Sequence, residues 1–361
     1  MTTGGFDVVV VGAGPAGATT ARGLARRGLR VLLVDRARFP RSKVCGCCLN
    51  PRALATLARI GLGALVETLG AEPLTGLDLA AGRRRATLDY PLGAALSRDA
   101  LDAALAAEAV AAGAEFLPGA SAALAPGGVR LTLSDAAREV RARFVVSATG
   151  LADGLFPAEA RAAPTARSRV GAGTILDAAP DGYAPGRIFM ACGRGGYVGL
   201  VVLEDGRLDV AAALDPAAVR EAGGAAAAAA AIVASTRLPD VPGLAASRWR
   251  GTPALSRSPA KVVVGSVFRV GDSAGYVEPF TGEGIAWALA GGETLAATLA
   301  DDPDPAGRWE RGHRRIVRDR QLACRTVARV LRSPAMTSMM AAALEFRPGL
   351  ARPLLSAMHR D

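Results

Sequence analysis

A glycine-rich turn near the N-terminus, set between two runs of apolar residues, constrains the fold of this chain most. Phe6–Val11 ends in four consecutive valines, which is typical of a strand buried on both faces. The turn Gly12-Ala13-Gly14-Pro15-Ala16-Gly17 follows, then a helix-forming segment, Ala18–Arg27, and a second apolar run that ends at Asp35. A strand, a glycine turn, a helix, a strand and an acid within about 30 residues form the dinucleotide-binding fingerprint in its required context.

Each glycine of this turn has a separate chemical role. Gly12 permits the tight turn out of the strand, Gly14 lets the backbone approach a pyrophosphate, and Gly17 lets the helix pack closely on the sheet. Phosphates bind the free N–H groups at the start of that helix, and the acid after the second strand can accept hydrogen bonds from a ribose. The fingerprint alone does not distinguish NAD, NADP and FAD. The predicted cofactor-binding residues here are Gly12, Gly14, Pro15, Ala16, Gly17, Asp35 and Arg36.

A second motif lies more than 250 residues downstream, in Gly271–Ile285. It follows a predicted strand and opens a helix that is expected to run to about Leu299. Asp272, at the end of the strand, is placed to bond a polyol. Gly282 and Gly284 remove side chains from the start of the helix, which leaves N–H groups free for an anion. The two motifs together predict a cofactor that is bound by two segments more than 250 residues apart in the sequence.

These motifs resemble the p-hydroxybenzoate hydroxylase and geranylgeranyl reductase superfamily of FAD enzymes. Ser97-Arg98-x-x-Leu101 adds to the resemblance, and Lys43-x-Cys45-Gly46 is closest to the geranylgeranyl reductase-like branch. The resemblance implies bound FAD, with Arg98 beside it and Asp272 on its ribityl chain. Around the isoalloxazine ring it places Pro279, Gly282, Gly284 and Ile285.

The expected fold class is α/β. We expect a Rossmann-type FAD-binding domain of the glutathione reductase type, an antiparallel substrate sheet and a helical C-terminus. Runs of apolar residues separated by glycine-rich turns predict that substrate sheet after about residue 165. The predicted FAD-binding domain comprises residues 1–75, 95–165 and 260–304, and the predicted substrate domain comprises 76–94 and 166–259, followed by a helical segment, 305–361.

The sequence departs from the family pattern in two places. Family members carry Ala-Asp-Gly where this chain has Ala148-Thr149-Gly150, with Asp153 as a candidate for a shifted acid. NAD(P)H is the expected electron donor, and this departure puts its direct use in doubt. The substrate sheet also lacks the Tyr-x-Trp-x-Phe-Pro pattern of the isoprenoid reductases, and Gly196–Leu203 stands in its place. That difference favours a compact substrate over one with a long geranylgeranyl tail.

Composition excludes several other functions. The chain of 361 residues has a net charge of +10, but its only lysines are Lys43 and Lys261, so the excess is arginine. No aromatic-basic interleaving supports nucleic-acid binding, and no long apolar stretch predicts an integral membrane segment. We expect a cytoplasmic enzyme without a disulfide framework, because three of the five cysteines cluster in residues 45–48. No metal site is expected, since the two histidines, His313 and His359, lie far from those cysteines.

Three hypotheses about activity remain open from the sequence. The favoured one is an FAD-dependent monooxygenase that hydroxylates a small apolar or aromatic molecule of secondary metabolism. The second is an FAD-dependent reductase or dehydrogenase acting on a carbon–carbon double bond, and the third is a flavin-binding module without turnover. Cys45 and Tyr197 are the candidate catalytic side chains, although either could serve only in packing.

Overall fold

The computed structural model describes residues 5–134, 136–278, 280, 282–318, 324 and 328–352. The strands are β1 (Phe6–Val11), β2 (Val31–Asp35), β3 (Cys48–Leu49), β4 (Glu72–Ala81), β5 (Arg84–Ala95), β6 (Glu115–Pro118), β7 (Ala120–Ala125), β8 (Gly128–Leu133), β9 (Ala136–Ser147), β10 (Ala163–Pro164), β11 (Val170–Leu176), β12 (Arg187–Gly193), β13 (Gly196–Val202), β14 (Leu208–Leu214), β15 (Arg250–Ala254), β16 (Arg257–Ser258), β17 (Val263–Val264) and β18 (Val267–Arg269).

The helices connect these strands and cover the sheets. The α-helices are α1 (Pro15–Ala25), α2 (Pro51–Arg59), α3 (Leu65–Thr68), α4 (Arg98–Ala111), α5 (Pro216–Glu221), α6 (Ala225–Ala234), α7 (Gly284–Asp301), α8 (Pro305–His313) and α9 (Pro334–Phe346). The predicted caps of two helices are confirmed: Asn50 accepts a hydrogen bond from the Ala53 N–H at 3.0 Å, and Ser97 accepts one from the Ala100 N–H at 3.2 Å. No helix of the described residues combines the length and apolar character needed to cross a bilayer.

The first sheet carries the dinucleotide fingerprint. Its strands lie in the order β17-β18-β9-β1-β2-β6, and the β7–β8 ribbon extends it from β9. Strand β1 runs parallel to both β2 and β9, with Val10 between Leu33 and Val146. One face packs on α1, α7 and α8 through a cluster that includes Leu24 and Leu295. The predicted α/β class with a Rossmann-type sheet is confirmed.

The second sheet is mostly antiparallel, in the order β15-β11-β14-β13-β12-β4-β5-β3. The four strands predicted between residues 170 and 213 form its centre with almost the predicted bounds. Helix α6 covers one face through a cluster that includes Ala229 and Ile232. Strand β12 also pairs in parallel with β4, so the predicted hairpin near residue 82 joins this sheet and widens it.

Several elements differ from the sequence-based expectation. The predicted strands 139–143 and 144–148 form one strand, β9, which pairs with β8 along its first half and with β1 along its second. The predicted helix 216–235 divides into α5 and α6 at Gly223 and Gly224, whose φ angles of 79° and 153° lie outside the helical range. Strand β4 spans the predicted domain boundary at residues 75–76, and the division into domains remains a prediction.

Candidate flavin-binding and active site

The sequence motifs meet at one edge of the first sheet. Strands β1, β2, β9 and β18 are parallel, and their carboxyl ends lead into Gly12, Asp35, Ala148 and Gly271 respectively. In open α/β sheets ligands bind outside the carboxyl ends of the strands. Helix α1 starts at this edge, and α7 packs against α1 so closely that a Cβ on Gly292 would lie 2.6 Å from the carbonyl oxygen of Ala16. The two distant motifs therefore form one site.

The glycine turn is packed as the fingerprint requires. Gly12 has φ +105°, and a Cβ on it would lie 2.2 Å from the carbonyl oxygen of Ala148. A Cβ on Gly17 would lie 1.8 Å from the carbonyl oxygen of Gly12. Real Cβ atoms do not approach backbone oxygens this closely, so both positions require glycine. The first and third glycines thus close the turn between β1 and α1.

Gly14 is different, because no backbone atom crowds it. A Cβ there would meet only the Nη2 atoms of Arg41 and Arg98, at 3.6 and 3.7 Å. Gly14 is also the N-cap of α1, which has Pro15 in its first turn and no side chain capping its free N–H groups. Two guanidinium groups beside an open helix N-terminus form a cradle that fits a pyrophosphate. The donors present therefore match FAD.

A buried carboxylate holds this arginine pair. Asp102 is fully buried and accepts hydrogen bonds from Arg98 at 2.9 and 2.7 Å, while Arg41 Nη1 lies 3.0 Å from Asp102 Oδ2. Although burial opposes the shift, the charges of Asp102 and Cys45 raise the pKa of Arg98. Sequence reasoning found Arg98 and missed Arg41 and Asp102. The four-residue spacing of Arg98 and Asp102 on α4 is a signal that could have found the carboxylate.

Asp35 and Arg36 lie at the predicted edge with different environments. Asp35 is buried and accepts hydrogen bonds from the N–H groups of Ala13 at 2.8 Å and Ala37 at 2.9 Å. A carboxylate has about four acceptor sites, so these bonds leave capacity for a ribose. Arg36 is exposed. The predicted contacts of both residues with the cofactor remain predictions.

Asp272 follows β18 and lies near two cations. Desolvation raises the pKa of Asp272, and the charges of Lys43 and Arg98 oppose that shift. Desolvation and repulsion by Arg98 lower the pKa of Lys43. The Lys43 Nζ is 3.6 Å from the position of a Cβ on Gly150, which brings the loop after β2 to the loop after β9. The polyol-binding candidate thus lies among groups that donate hydrogen bonds.

The remaining residues of the second motif lie around the start of α7. Gly271 has φ +65° and packs on Ala16. A Cβ built on Gly282 would lie 4.0 Å from the Cβ of Cys48. Gly284 is the first residue of α7, and Ile285 packs into the core with Leu49 and Leu101. The start of α7 therefore lies close to Cys48. Pro279, also predicted to bind the cofactor, lies outside the described residues.

The loop at residues 43–48, which we call the cysteine loop, lies between the two sheets. Cys47 is buried with Val201 and Leu203 of the second sheet, and Cys45 packs at the edge of the same cluster. A hydrogen bond from Cys47, aided by Arg98 and opposed by burial, lowers the pKa of Cys45 to about 5. The same hydrogen bond and burial raise the pKa of Cys47. Cys45 is therefore the more acidic of two adjoining thiols.

Asp209, which sequence reasoning did not select, adjoins these thiols. It lies on β14 between Ile175 and Val201 of the neighbouring strands and is 3% exposed. Burial and the negative charge of Cys45 raise the pKa of Asp209, and the neighbouring Cys47 opposes that shift. Its Oδ2 has no hydrogen-bond partner among the described residues. The raised pKa thus favours the protonated carboxyl group, which lies against the cysteine loop.

Tyr197, the other candidate catalytic residue, belongs to a buried network on β13. Its ring packs edge-on against Phe280 with centroids 5.1 Å apart, and the guanidinium of Arg169 lies 5.5 Å from its centroid. Burial and the charge of Glu278 raise the pKa of Tyr197. Arg169 is 1% exposed and pairs with Glu278 at 2.9 Å. These contacts fix the Tyr197 ring, and its catalytic role remains a prediction.

The loop after β9 contains Asp153, the candidate for the shifted acid. Asp153 is fully buried, pairs with Arg269 at 3.0 Å and accepts a hydrogen bond from the Ala162 N–H at 2.9 Å. Its carboxylate therefore holds the loop on β18, and its role as a shifted version of the acid that the family carries at the position of Thr149 remains a prediction. The Thr149 hydroxyl lies 3.3 Å from that of Ser147.

Comparisons with known proteins agree with this geometry. Residues 5–160 match the model of a family described as FAD binding domain. The menaquinone reductase of Mycobacterium tuberculosis H37Rv is 31% identical over 354 residues, which cover 84% of this chain and 78% of that protein. A squalene epoxidase of Gibberella zeae is 39% identical over 85 residues, which cover 24% of this chain and 17% of that protein.

A solved structure extends the likeness in fold to both sheets. The geranylgeranyl bacteriochlorophyll reductase-like protein of Thermoplasma acidophilum has a TM-score of 0.74 and 20% sequence identity, with 94% of this chain and 91% of that chain covered. The match spans the first sheet, the second sheet and the helices between them. The fingerprint at Gly12–Gly17, the second motif and the relative that shares most of its length lead to one conclusion: the chain belongs to the FAD binding domain family and is an FAD-dependent oxidoreductase.

Proposed function

We propose that this chain is a reductase that adds hydrogen across a carbon–carbon double bond of an apolar, prenylated aromatic substrate of the menaquinone type, although residues 196–203 alone favour a more compact substrate. The observation that carries the proposal is the 31% identity with the menaquinone reductase over 84% of this chain. Beside the cofactor-binding residues lies a row of acidic groups, the thiols of Cys45 and Cys47 and the buried carboxyl group of Asp209. Bound, reduced FAD supplies a hydride equivalent. The protein must then supply a proton, and this row stores one.

The residues around the predicted pyrophosphate and ribityl positions bind and orient the cofactor. Arg41 and Arg98 provide the cationic cradle over Gly14, and Asp272 accepts hydrogen bonds from hydroxyl groups. With FAD bound, the N-terminus of α7 would direct the positive end of its dipole towards the flavin ring and would stabilise the negative charge that reduction adds. These assignments follow from the resemblance and from the geometry of the free donors.

The row of acidic groups moves the proton. The lowered pKa of Cys45 favours its deprotonated form, while the raised pKa values of Cys47 and Asp209 favour their protonated forms. The Cys47 proton passes to Cys45 and from there to the substrate carbon, and Asp209 then reprotonates Cys47. One S–H bond breaks, one C–H bond forms, and the Asp209 proton is replaced from solvent. Asp99 lies at the outer end of this row, since its negative charge raises the pKa of Asp209 and its carboxylate pairs with Arg207 at 3.1 Å.

Hydroxylation is the second candidate, and it is favoured by the similarity to squalene epoxidase. The lowered pKa of Cys45 argues against it. Thiolates are the most readily oxidised form of cysteine, so a lowered pKa makes Cys45 more prone to oxidation beside a site that activates oxygen. Reduction of the substrate makes no such demand. We therefore place reduction ahead of hydroxylation, although the sequence alone favours hydroxylation.

The electron donor is part of the proposal. NAD(P)H is the expected donor for the family, and Thr149 occupies the position of an acid linked to nicotinamide handling. We propose that NAD(P)H reduces this enzyme slowly and that Thr149→Asp raises the rate of flavin reduction by NAD(P)H. An unchanged rate in that variant would show that Thr149 does not determine how fast NAD(P)H reduces the flavin.

The test is anaerobic single turnover with a defined substrate. FAD-loaded enzyme, reduced with one equivalent of dithionite, is mixed with menaquinone, and the product is exposed to air before mass spectrometry. Air returns a quinol to the quinone, so two hydrogens that remain in the product were added across a carbon–carbon double bond. A product that returns to the starting mass in air contradicts the proposal.

The variants assign the proton pathway separately. Asp209→Asn and Cys45→Ser are expected to slow turnover at least about a hundredfold, which is the lower end of the usual contribution of an acid–base group. They should leave FAD affinity unchanged within about twofold. Cys192→Ala is the matched control, because Cys192 is also a buried thiol of the second sheet and has a raised pKa caused by burial. Equal rates in all three variants would show that neither the thiols nor Asp209 takes part in the reaction.

A further inference from the structure

Helix α9 is apolar on two faces, and only one of them is covered. Thr337 and Ala341 are buried where the helix packs on β4 and β5. The outer face carries Met336, Met339 and Phe346, which are 50%, 71% and 82% exposed. A surface helix that is hydrophobic nearly all round requires something else to cover it. Leu350, just beyond the helix, is 57% exposed and adds to the same surface.

The outer residues form one stripe because of their spacing. Met336, Met339, Ala343 and Phe346 follow one another at intervals of three and four residues, which places them on one side of an α-helix. Of the charged residues, α9 contains only Glu345, and Arg84 neutralises it at 3.3 Å. We call these four residues together with Leu350 the α9 stripe. Contiguous exposed apolar surface of this kind marks a site of interaction.

Arginines border the α9 stripe. Arg347 and Arg352 are exposed beyond the end of the helix, and Arg83 is exposed beside Arg84 at the turn between β4 and β5. No ion pair within the described ranges involves Arg83, Arg347 or Arg352. The net charge of the chain is +10. An apolar stripe rimmed by unneutralised arginines is complementary to a membrane surface that contains anionic lipids.

We infer that the α9 stripe docks this enzyme on an anionic lipid surface, with the helix lying in the interface. The apolar side chains enter the boundary between headgroups and acyl chains, and the arginines contact lipid phosphates. The inner face of α9 belongs to clusters that also contain Leu77 and Ile188 of the second sheet, through Leu344. Docking would therefore bring the second sheet close to a source of apolar substrate. This inference does not depend on which reaction the enzyme performs.

Vesicle flotation tests the inference directly. FAD-loaded full-length protein is mixed with vesicles of phosphatidylcholine alone or with one third phosphatidylglycerol, at low and high salt. The protein is expected to float with the anionic vesicles at low salt and to bind at least about tenfold more weakly to the neutral ones. Protein that stays at the bottom of the gradient with both kinds of vesicle overturns the inference.

Paired variants separate the apolar and charged contributions. Met339→Ser with Phe346→Ser, and separately Arg347→Gln with Arg352→Gln, are each expected to weaken vesicle binding at least about tenfold. Val110→Ser is the control for the first pair, since Val110 is 47% exposed on α4. FAD content and the melting temperature of each variant establish that it is folded. Vesicle binding that is unchanged in both pairs contradicts the assignment of the surface.

Methionine oxidation distinguishes whether lipid or protein covers the α9 stripe. Without vesicles, hydrogen peroxide is expected to oxidise Met339 much faster than Met190, which is 7% exposed. Anionic vesicles should protect Met339 and leave Met190 unchanged. If Met339 is already as protected as Met190 without vesicles, then the C-terminal residues 353–361 or a second copy of the chain covers the stripe, and the inference fails. Sedimentation velocity tells these two covers apart.

Discussion

Gly14 and Gly17 lie three residues apart in one turn, and alanine at each is expected to separate cofactor binding from stability. A Cβ on Gly14 would make ordinary contacts with the guanidinium groups of Arg41 and Arg98, at 3.6 and 3.7 Å. A Cβ on Gly17 would lie 1.8 Å from the carbonyl oxygen of Gly12, so α1 would have to move away from β1. The first change alters only the open cradle, and the second disrupts a packed contact.

The magnitudes follow from these distances. Gly17→Ala is expected to lower the free energy of unfolding of the FAD-free protein by about 1–3 kcal/mol, the usual cost of overpacking. Gly14 has φ −76° and ψ −176°, which alanine adopts without strain. Gly14→Ala is therefore expected to leave that free energy unchanged or to raise it by about 0.4–1 kcal/mol. Its methyl group obstructs the approach of a pyrophosphate, so the FAD dissociation constant should rise at least about tenfold, or ~1.4 kcal/mol.

Two assays on the same samples decide this prediction. Urea unfolding of the FAD-free protein measures stability, and quenching of flavin fluorescence during titration measures FAD affinity. Gly5→Ala is a matched control, since a Cβ there would lie 3.3 Å from its nearest atom at the start of β1, away from the cradle. Loss of stability in Gly14→Ala similar to that in Gly17→Ala, or FAD affinity at the wild-type level in Gly14→Ala, would refute the proposed position of the pyrophosphate.

Further predictions concern charged and thiol groups. Asp272→Ala should weaken FAD binding by about 1–3 kcal/mol with little change in the stability of the FAD-free protein. Asp35→Ala should lower both FAD affinity and stability, because it leaves the Ala13 N–H without its acceptor. FAD titration and urea unfolding of both variants check this, and a larger loss of affinity in Asp35→Ala contradicts it. Alkylation of Cys45 by iodoacetamide, followed by peptide mass spectrometry, should be constant between pH 7 and 9 and fall as pH drops through about 5, since its pKa is lowered to about 5; a rate that still rises between pH 7 and 9 excludes a resting thiolate. Glu278→Ala should lower the free energy of unfolding by about 3–5 kcal/mol because it leaves Arg169 buried without its main partner, and a loss below about 1 kcal/mol in urea unfolding would argue against that pairing.

The parts of the fold that sequence predicted are those with local signals. The valine run, the spacing of Gly12, Gly14 and Gly17, and the caps Asn50 and Ser97 are each read from neighbouring residues, and the structure has strands, turn and helices there. Strand β7 gave no such signal, because its sequence, Ala120–Ala125, is mostly alanine, which has low strand propensity. It forms a strand only through its pairing with β8.

The parts of the site that sequence missed depend on contacts between distant residues. Asp209 occurs in an apolar run and would be taken as the exposed residue of a strand. The cysteine loop covers the face that Asp209 shares with Ile175 and Val201, so the carboxyl group is buried. Arg41 lies in a polar loop without a local pattern, and only the folded chain brings it to Asp102. Such pairings require the three-dimensional arrangement of elements far apart in sequence.

The most direct test of the central claim is the isotopic composition of the product. FAD-loaded enzyme with a chemical reductant converts menaquinone in deuterated water under oxygen-18 gas, and mass spectrometry follows after oxidation in air. We expect a product that retains two added hydrogens, at least one of them deuterium delivered through Cys45, and that contains no oxygen-18. A product that carries one atom of oxygen-18 would contradict reduction and establish the enzyme as a hydroxylase.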